Sequence, residues 1–595
     1  MPNFSGGLGH LGMDVRHMKP EEAYLALNSD LFRELGALHA IKDKRLIETY
    51  TLDGVAVPIH AAHKFRGVFL VHAGENLYYG NASTPVRAFV STNPMVVVNY
   101  EDSVYFTNGV EFLKMTVSDI GALTFETPFV VAPVSTGITV AEADDGQLSQ
   151  GKYQYLYTYI DAFNAALPHL SRDESPPDSL PKIATVSISL SGDNKKVVHS
   201  NLPTSTGFNL VIWRWKVGEG FEFRLVTEIT DSSTSYTDDV HTNQLGGILT
   251  SQDYETPPIP LDLERFNNTL VLLDIRSWQD RPMTEIDNYI FWSADRRFSC
   301  YDPHFLDISG ETDDRVMGGK VLNNSFYVFT KARVEGLFGA SAQQYRESTQ
   351  QARTGLAARL ALVNTITYGL LFLGSDRALH IFDGFRFNEK TDLRKMDNLF
   401  AEDSTHPHRM NWDARDKCRL SFLNQKARLA YPSVSSTTND KILKMDFRDF
   451  PRIIFTIDDY EATGLFADEV NNQMIAGNSS GELFEVEAGN TFLPARWKSK
   501  DFDLGDIEAD KIYKKLRIDM NSQGKDINTT LTIDDEAKGT PTLNKSNRKS
   551  KFSTFRSFLT PNLGARAAVE IYWNHPNDDV VLYDYEVDAQ IARKP

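Results

Sequence analysis

The chain has 595 residues, of which 41% are hydrophobic and 11% aromatic, and its formal net charge at pH 7 is −18. A chain of this length exceeds what a single hydrophobic core supports, so we expect two to four domains. The acidic balance argues against a protein that coats nucleic acid or binds a membrane through a basic surface.

Residues 1–50 are predicted to form a Gly-rich, polar arm (1–19) and one short helix that begins at Pro20. Four apolar residues recur there at helical spacing: Tyr24, Leu27, Leu31 and Leu35. The opening has no apolar signal region, and the longest apolar run, YGLLFLG, is far shorter than a membrane span. We therefore expect a soluble protein that has no membrane span and is not conventionally secreted.

Two regions, 51–123 and 259–490, repeat one pattern: a short apolar strand, a polar turn and another apolar strand. Examples are MVVVNYEDSVYFTNGVEFLKM and YGLLFLGSDRALHIFDG. The spacing is irregular and no fixed-period motif appears. The pattern predicts a mainly β chain with an irregular β-propeller of five to seven blades. A large all-β barrel and stacked sandwiches are the alternative architectures.

Residues 124–258 interrupt this rhythm and predict an inserted, fibronectin-like β-sandwich. Its clearest element is a hairpin within GFNLVIWRWKVGEGFEFRLVTEI, folded about Gly218-Glu219-Gly220. Trp213 and Trp215 on this hairpin are interpreted as core or ridge residues. The Ser/Thr/Asp run that follows, up to residue 239, is expected to begin as loop, and TSYTDDV at its end is counted among the strands of the insert.

Two further segments complete the prediction of a mainly β chain with few short helices. The stretch SAQQYRESTQQARTGLAARLALV (341–363) is expected to be helical. Residues 491–595 alternate again and predict a C-terminal β-sandwich. The basic stretch 544–552 within it is interpreted as a solvated loop.

The sequence predicts no catalytic, cofactor-binding or metal-binding residues. Cys300 and Cys418 are the only cysteines and are expected to be buried free thiols. His406 and His408 have no identifiable third ligand, and the proline between them favours a turn. The segments EADDGQLSQG and TIDDEAKG are interpreted as acidic turns without the ligand alternation of a calcium loop. No phosphate-binding loop or nucleophile elbow occurs.

An enzyme of the glycosidase or depolymerase class stays open as an alternative. The Asp-box turns of sialidases are only distantly approached by SADRRF, GSDRALHIF and NSSGELF. A pair of carboxylates for glycoside hydrolysis could come from any part of the chain, because such partners meet in space and not in sequence. A receptor-binding spike is the third reading, although the sequence has no fibrous repeat region.

The order of segments resembles the tail nozzle or tail hub proteins of short-tailed bacteriophages. The opening GLGHLGMDVRHMKPEEAYLALNSDLFRELGALHAIKDKRL is similar to theirs, as is the insert with YQYLYTYIDAFN, VIWRWKVGEGFEFRLVTEI, SYTDD and PPIP. The segment from IFWSADRRFSCYD to ARVEGLFG resembles the next blade, and LLFLGSDRALHIFDG the closing strands of another. KSKDFDLGDIEADKIYKKLRIDM resembles their C-terminal sandwich.

This resemblance implies a non-enzymatic virion component that is assembled in the host cytoplasm. In such proteins a propeller-bearing subunit is repeated, typically six times, around the tail axis beneath the portal and adaptor rings. The ring forms a conduit for double-stranded DNA and a mounting for tail fibres or spikes. A wall that is short of lysine and arginine would let DNA slide without specific binding, because cationic groups bind DNA by releasing counterions.

Overall fold

The structure of the chain is a computed structural model, and most of the chain is described by it. The described residues are 8–9, 23–31, 33, 37–100, 102–118, 121–126, 137–161, 185–204, 208–219, 222–230, 233–247, 258–278, 286–294, 297–308, 314–349, 354–387, 392–501, 510–534, 536–539, 542–544 and 554–591. These residues are mainly β and form many small sheets. Among them, no helix has the length and apolarity that crossing a bilayer requires.

Seven small antiparallel sheets, named ring sheets 1 to 7, form the largest part of the fold. Ring sheets 1 and 2 consist of Ile59–Phe65, Val68–Ala73, Asn76–Tyr79 and Arg87–Ala88, and of Val96–Tyr100, Ser103–Thr107, Phe112–Val117 and Leu123–Glu126. Ring sheets 3 and 4 consist of Ile259–Phe266, Thr269–Ser277, Tyr289–Ala294 and Arg297–Asp307, and of Val316–Leu322, Ser325–Thr330, Val334–Phe338 and Arg346–Thr349.

Ring sheet 5 has three strands, Leu362–Asn364, Leu370–Leu373 and Leu379–Phe382. Ring sheet 6 consists of Arg419–Leu423, Lys426–Tyr431, Lys441–Asp446 and Ile454–Asp458. Ring sheet 7 consists of Gly464–Asp468, Gln473–Gly477, Glu482–Glu485 and, from the start of the chain, Arg45–Thr49. A small hairpin, Thr51–Leu52 and Val55–Ala56, joins this last strand to ring sheet 1. The single described α-helix is Asp397–Phe400, and 3₁₀ turns lie at Thr242–Gln244, Ala342–Gln344, Asp392–Met396 and Trp412–Lys417.

The first strands of the seven sheets contact one another in cyclic order, and the first strand of ring sheet 7 contacts that of ring sheet 1. A cluster of buried apolar side chains fills the space between each pair of adjacent sheets. The alternation in the sequence explains this packing, because successive side chains of a strand point to opposite faces and each face meets a neighbouring sheet. The fold is therefore propeller-like.

Side-chain contacts also link neighbouring sheets, in the same cyclic order, where their first strands end. We call that side of the ring the exit end. The opposite side, where the first strands begin, is the entry end. The pairs around the exit end are Lys64–Asp468 (2.8 Å), His63–Asn99 (3.0 Å), Arg265 over the Tyr100 ring (5.1 Å), Lys320–Glu264, Asn364 to the Val321 carbonyl (2.6 Å), Tyr368–Phe422 (6.4 Å between ring centroids) and Asn424–Asn472. All seven junctions of the ring are thus linked by side chains.

The ring is closed by a strand from the start of the chain. Arg45–Thr49 pairs antiparallel with Glu482–Glu485 and forms the outer edge of ring sheet 7. Lys44 and Arg45 also form ion pairs with Glu482 and Glu485. The last sheet of the ring therefore combines an early strand of the chain with three late ones.

An inserted unit lies between ring sheets 2 and 3 in the chain. It has a three-stranded sheet (Thr139–Leu148, Lys195–Ser200 and Ser235–Asp238) and a four-stranded sheet (Thr185–Leu190, Gly151–Asp161, Phe208–Lys216 and Arg224–Ile229). One apolar cluster contains side chains of both sheets. The predicted hairpin is confirmed, since Phe208–Lys216 pairs antiparallel with Arg224–Ile229.

The C-terminal strands form two further sheets, in which strands from the start of the chain take part. One sheet contains Ser29–Asp30, Leu38–Ala40, Val581–Ile591, Lys511–Asn521 and Thr554–Gly564. The other contains Ala23–Leu27, Ala495–Ser499, Ala567–Trp573, Asp526–Ile533, Glu536–Gly539 and Thr542–Asn544. The second sheet is continuous with ring sheet 6, because Leu27 pairs in parallel with Ile457.

The helix predicted from Pro20 is wrong in its described part. Ala23–Leu27 is a strand that pairs with Ala495–Ser499 on one side and with ring sheet 6 on the other. Asn28 has a positive φ of 51°, and its main-chain N–H and side chain bond to the carbonyls of Ile457 and Pro494. Pairing on both edges outweighs the helical spacing of the apolar residues. The predicted polar arm also holds one core residue, because Leu8 is fully buried.

The helix predicted over 341–363 is wrong as well. The described residues form a 3₁₀ turn, the strand Arg346–Thr349, a loop and the strand Leu362–Asn364, so the segment completes one ring sheet and begins the next. Gly355 is pressed against the main chain of ring sheet 4, where an added Cβ would lie 2.2 Å from the Thr330 oxygen. The many Ala, Gln and Arg residues of segment 341–363 give it only a weak preference for helix, which strand pairing overrides.

The strand expected at TSYTDDV is confirmed as Ser235–Asp238, which pairs with Lys195–Ser200. One turn prediction needs correction. The acidic segment 142–151 is largely strand, with an irregular register between Asp144 and Leu148. In the acidic segment 532–539, by contrast, strands end at Ile533 and begin at Glu536, as a turn requires.

Candidate functional site: charged clusters on the ring

A cluster of charged side chains lies at the entry end of the ring. Its central member is Arg359, which precedes the first strand of ring sheet 5. Arg359 Nη1 donates to the Leu261 carbonyl (2.5 Å) and Nη2 to the Pro94 carbonyl (3.3 Å). Leu261 belongs to ring sheet 3 and Pro94 precedes ring sheet 2. A side chain that connects sheets so far apart in the cyclic order must extend across the entry end.

Arg419, the first residue of ring sheet 6, lies beside Arg359. The Leu420 N–H donates to the Leu360 carbonyl at 2.8 Å, so the main chains of the two segments are adjacent. Arg419 Nη1 donates to the carbonyls of Asp416, Lys417 and Cys418 at 3.1, 2.8 and 2.9 Å. Burial, together with the nearby Arg359 charge, lowers the pKa of Arg419 to about 10. The pair thus places two like charges side by side.

His60, in the first strand of ring sheet 1, belongs to the same cluster. Burial lowers its pKa to about 4, and the charges of Arg419 and Lys417 act in the same direction. Its ring centroid lies 5.2 Å from that of His72, whose Nε2 is 2.8 Å from the Ser91 carbonyl. His60 is therefore a neutral imidazole at neutral pH.

Acidic groups near Arg359 are few and mostly paired. Asp262 in ring sheet 3 is 6% exposed, and burial raises its pKa to about 6 against the opposing charges of Lys320 and Arg359. Asp274 binds Arg276 at 2.8 Å, and burial raises its pKa as well. The cluster therefore combines a balanced ion pair with two arginines that have no carboxylate of their own.

A second charged site is an open surface pocket of about 610 Å³ beside ring sheet 5. Four carboxylates and two arginines line it: Asp376, Asp397, Glu402, Asp403, Arg377 and Arg394. Arg377 binds Glu402 at 2.8 Å and stacks over the Trp412 ring at 5.3 Å. Burial opposes ionisation of Asp376, but its hydrogen bonds to His380 (2.9 Å) prevail and lower its pKa. Carboxylates beside an indole ring suit a ligand with many hydroxyl groups.

The candidate histidines of the sequence are not among the residues that line the pocket. His406 is buried, its ring packs 5.5 Å from that of Tyr24, and the His408 N–H donates to His406 Nδ1 at 3.2 Å. Among the described residues, no three His, Cys, Asp or Glu side chains are grouped as metal ligands. Cys418 is a buried free thiol, and burial raises its pKa to about 12. The side chain of Cys300 lies outside those described.

The two tryptophans of the inserted hairpin differ in environment. Trp213 is buried, and its Nε1 donates to Thr158 Oγ1 at 2.8 Å. Trp215 is half-buried, with its ring 5.9 Å from that of Phe223. Neither ring lines the pocket or the entry end of the ring. The residues of both charged sites, by contrast, carry no recognisable spacing in the sequence.

Comparison with known proteins finds distant structural likenesses. The chain matches no protein-family model, and no curated protein matches it. Apo AztD from Citrobacter koseri is similar over 76% of this chain and 98% of its own, with 11% identity and a TM-score of 0.28. The Pan2 WD40 domain from Neurospora crassa is similar over 72% and 88%, with 6% identity and a TM-score of 0.24. Neither likeness carries an argument about this chain.

Proposed function

We propose that this chain is a structural virion protein, a tail nozzle or hub subunit of a short-tailed bacteriophage. Copies of the chain form a ring, a hexamer by analogy, below the portal and adaptor proteins. The ring passes double-stranded DNA and anchors tail fibres or spikes, and it breaks no covalent bonds. In this proposal the fold is an irregular propeller with a fibronectin-like inserted sandwich and a C-terminal sandwich.

The observation that carries the proposal is the way the inserted unit is attached. Ring sheets 2 and 3, which flank it in the chain, pack directly on each other through residues that include Tyr105, Phe112, Trp278 and Phe291. The ring is therefore complete without the insert. A unit that the ring does not need for its own core is suited to contact other proteins, as a scaffold subunit requires.

The charge of the chain also supports the proposal. A formal charge of −18 gives the assembled ring a strongly negative field. Duplex DNA carries about one negative charge per 1.7 Å, so an acidic wall repels it and reduces adhesion during ejection. The segment order that resembles tail nozzle proteins is the third support.

The oligomeric state of the purified chain tests the proposal. We expect mass photometry to show a closed oligomer, alone or after addition of portal and adaptor rings, and negative-stain images to show an axial hole. Replacing residues 127–258 with a short flexible linker should leave the oligomer intact, because ring sheets 2 and 3 pack without the insert. A monomer at every concentration that joins no portal assembly would contradict the proposal.

The acidic pocket favours a second candidate function, a glycosidase or depolymerase that acts on host surface polysaccharide. Its four carboxylates and the nearby Trp412 are the groups that sugar hydrolysis uses. Reducing-end release from capsule or lipopolysaccharide sugars, compared between the native chain, Glu402→Gln and Asp403→Asn, separates the two functions. Turnover that either substitution abolishes would favour the enzyme.

A further inference from the structure

Arg359 and Arg419 at the entry end are cations without a paired anion. Their hydrogen bonds in the described part of the chain go to main-chain carbonyl oxygens, which are neutral. Buried or partly buried arginines are ordinarily paired with carboxylates, because an isolated charge is costly to remove from water. Two acidic groups of the neighbourhood are already engaged: Asp274 binds Arg276 and Asp416 binds Lys417 at 3.1 Å.

Two polar atoms of the cluster are also unsatisfied. Arg419 is 7% exposed, and its Nε is buried with no hydrogen-bond partner in the described structure. His60 Nε2 is buried and lacks a partner there as well. A buried donor without an acceptor costs about 1–3 kcal/mol, so native proteins rarely leave one unused. The unsatisfied polar atoms and the unpaired charges belong to the same cluster.

Asp262 is the one acidic group of the cluster that has no ion pair in the described part of the chain. Its Oδ1 accepts a hydrogen bond from the Leu263 N–H at 3.0 Å. Its Oδ2 faces Gly318, and a Cβ added to that glycine would lie 3.0 Å from it. It thus faces ring sheet 4 and the main chain of Arg359. One such carboxyl group, itself disfavoured as an anion by burial, does not balance two guanidinium groups.

We propose that the entry end of the ring binds one small oxyanion, of the phosphate class, between Arg419, Arg359 and His60. A tetrahedral oxyanion accepts several charge-assisted hydrogen bonds at once and neutralises adjacent guanidinium groups. His60 and Arg359 are half-buried, so a small ion reaches the site from solvent, whereas the deep position of Arg419 excludes the backbone of a DNA duplex. This site is independent of the proposed function.

Calorimetric titration of the full chain with inorganic phosphate, at constant ionic strength, tests the site. We expect saturable binding to one site, which Arg419→Gln weakens about tenfold or more, since one charge-assisted contact is worth about that factor. Arg386→Gln is the matched control, because Arg386 is 85% exposed on a turn and only loosely paired with Asp383 at 3.8 Å. This control should bind phosphate as the native chain does.

Arg419 also holds the turn before ring sheet 6, so circular dichroism and thermal unfolding accompany each variant. If Arg419→Gln is unfolded, His60→Phe is the deciding variant. It removes an uncharged imidazole and should weaken phosphate binding about tenfold. No saturable binding up to about 10 mM phosphate would overturn the proposal. Unchanged affinity in both folded variants, or competition by a short DNA duplex, would overturn it too.

Discussion

The buried histidine of the inserted unit should make this unit sensitive to acid. His199 is fully buried, its Nδ1 lies 2.8 Å from the Tyr157 hydroxyl, and the Tyr155 ring centroid is 4.5 Å away. Arg214 binds the buried Asp238 at 2.7 Å nearby. Burial lowers the pKa of His199 from 6.5 to about 4, with a smaller opposing effect of Asp238.

The direction and size of the effect follow from linkage. Because the folded state has the lower pKa, the unfolded chain binds more protons between pH 4 and 6.5, and stability therefore rises with pH in this window. With these two values the inserted unit loses about 2 kcal/mol between about pH 7.5 and about pH 5 through His199 alone. His199→Gln keeps a neutral polar side chain near Tyr157 and removes this proton uptake.

Urea unfolding at each pH, followed by pulsed hydrogen exchange at one common pH, measures the effect. The peptide that covers Phe208–Lys216 reports the inserted unit. The native chain should lose roughly 1 M more in urea midpoint on acidification than His199→Gln, given typical denaturant slopes. His241→Gln, an exposed histidine of the same unit, should behave as the native chain. Equal losses in the native chain and in His199→Gln would show that His199 is not the source of the acid sensitivity.

Three further predictions concern stability. Lys444→Met should cost about 3–5 kcal/mol in urea unfolding, because it leaves the buried Asp458 without its ion-pair partner, whereas Lys525→Met on the surface should cost under about 1 kcal/mol. Ile475→Ala, in the cluster between ring sheets 7 and 1, should cost about 2–5 kcal/mol and raise hydrogen exchange in Arg45–Thr49, while the exposed Val470→Ala should do neither. Gly369→Ala places a Cβ 2.3 Å from the Phe382 oxygen and should lower the free energy of unfolding, measured in urea, by about 1–3 kcal/mol more than Gly137→Ala, which has a similar φ and open space; equal effects would contradict this.

Local signals in the sequence were sufficient to predict strands and their hairpins. Alternation of apolar residues predicted the mainly β fold, and turn residues marked where strands end. Asn323-Asn324 and Asn424-Gln425, for example, adopt positive φ between the first two strands of ring sheets 4 and 6. The two helix predictions failed because Ala23–Leu27 and Arg346–Thr349 pair with strands that helical spacing does not reveal.

Neither charged site could be predicted, for a physical reason. Arg359 lies in a stretch whose composition favours a helix, and its partners Leu261 and Pro94 are distant in sequence. Arg419 and His60 meet it only because the ring closes. The residues of such a site come from sheets that are far apart in the sequence, so no fixed spacing between them could be recognised. The prediction of a structural role without catalytic residues remains a prediction.

The pairing of Arg45–Thr49 with Glu482–Glu485 has a consequence during protein synthesis. More than 430 residues separate the two strands. At a bacterial or eukaryotic translation speed of about 5–20 residues per second, the early strand waits roughly 20–90 seconds on the ribosome before its partner exists. Throughout that interval Leu46 and Ile47 are free to meet other nascent chains, so chaperone capacity and translation speed should govern the yield of the finished molecule.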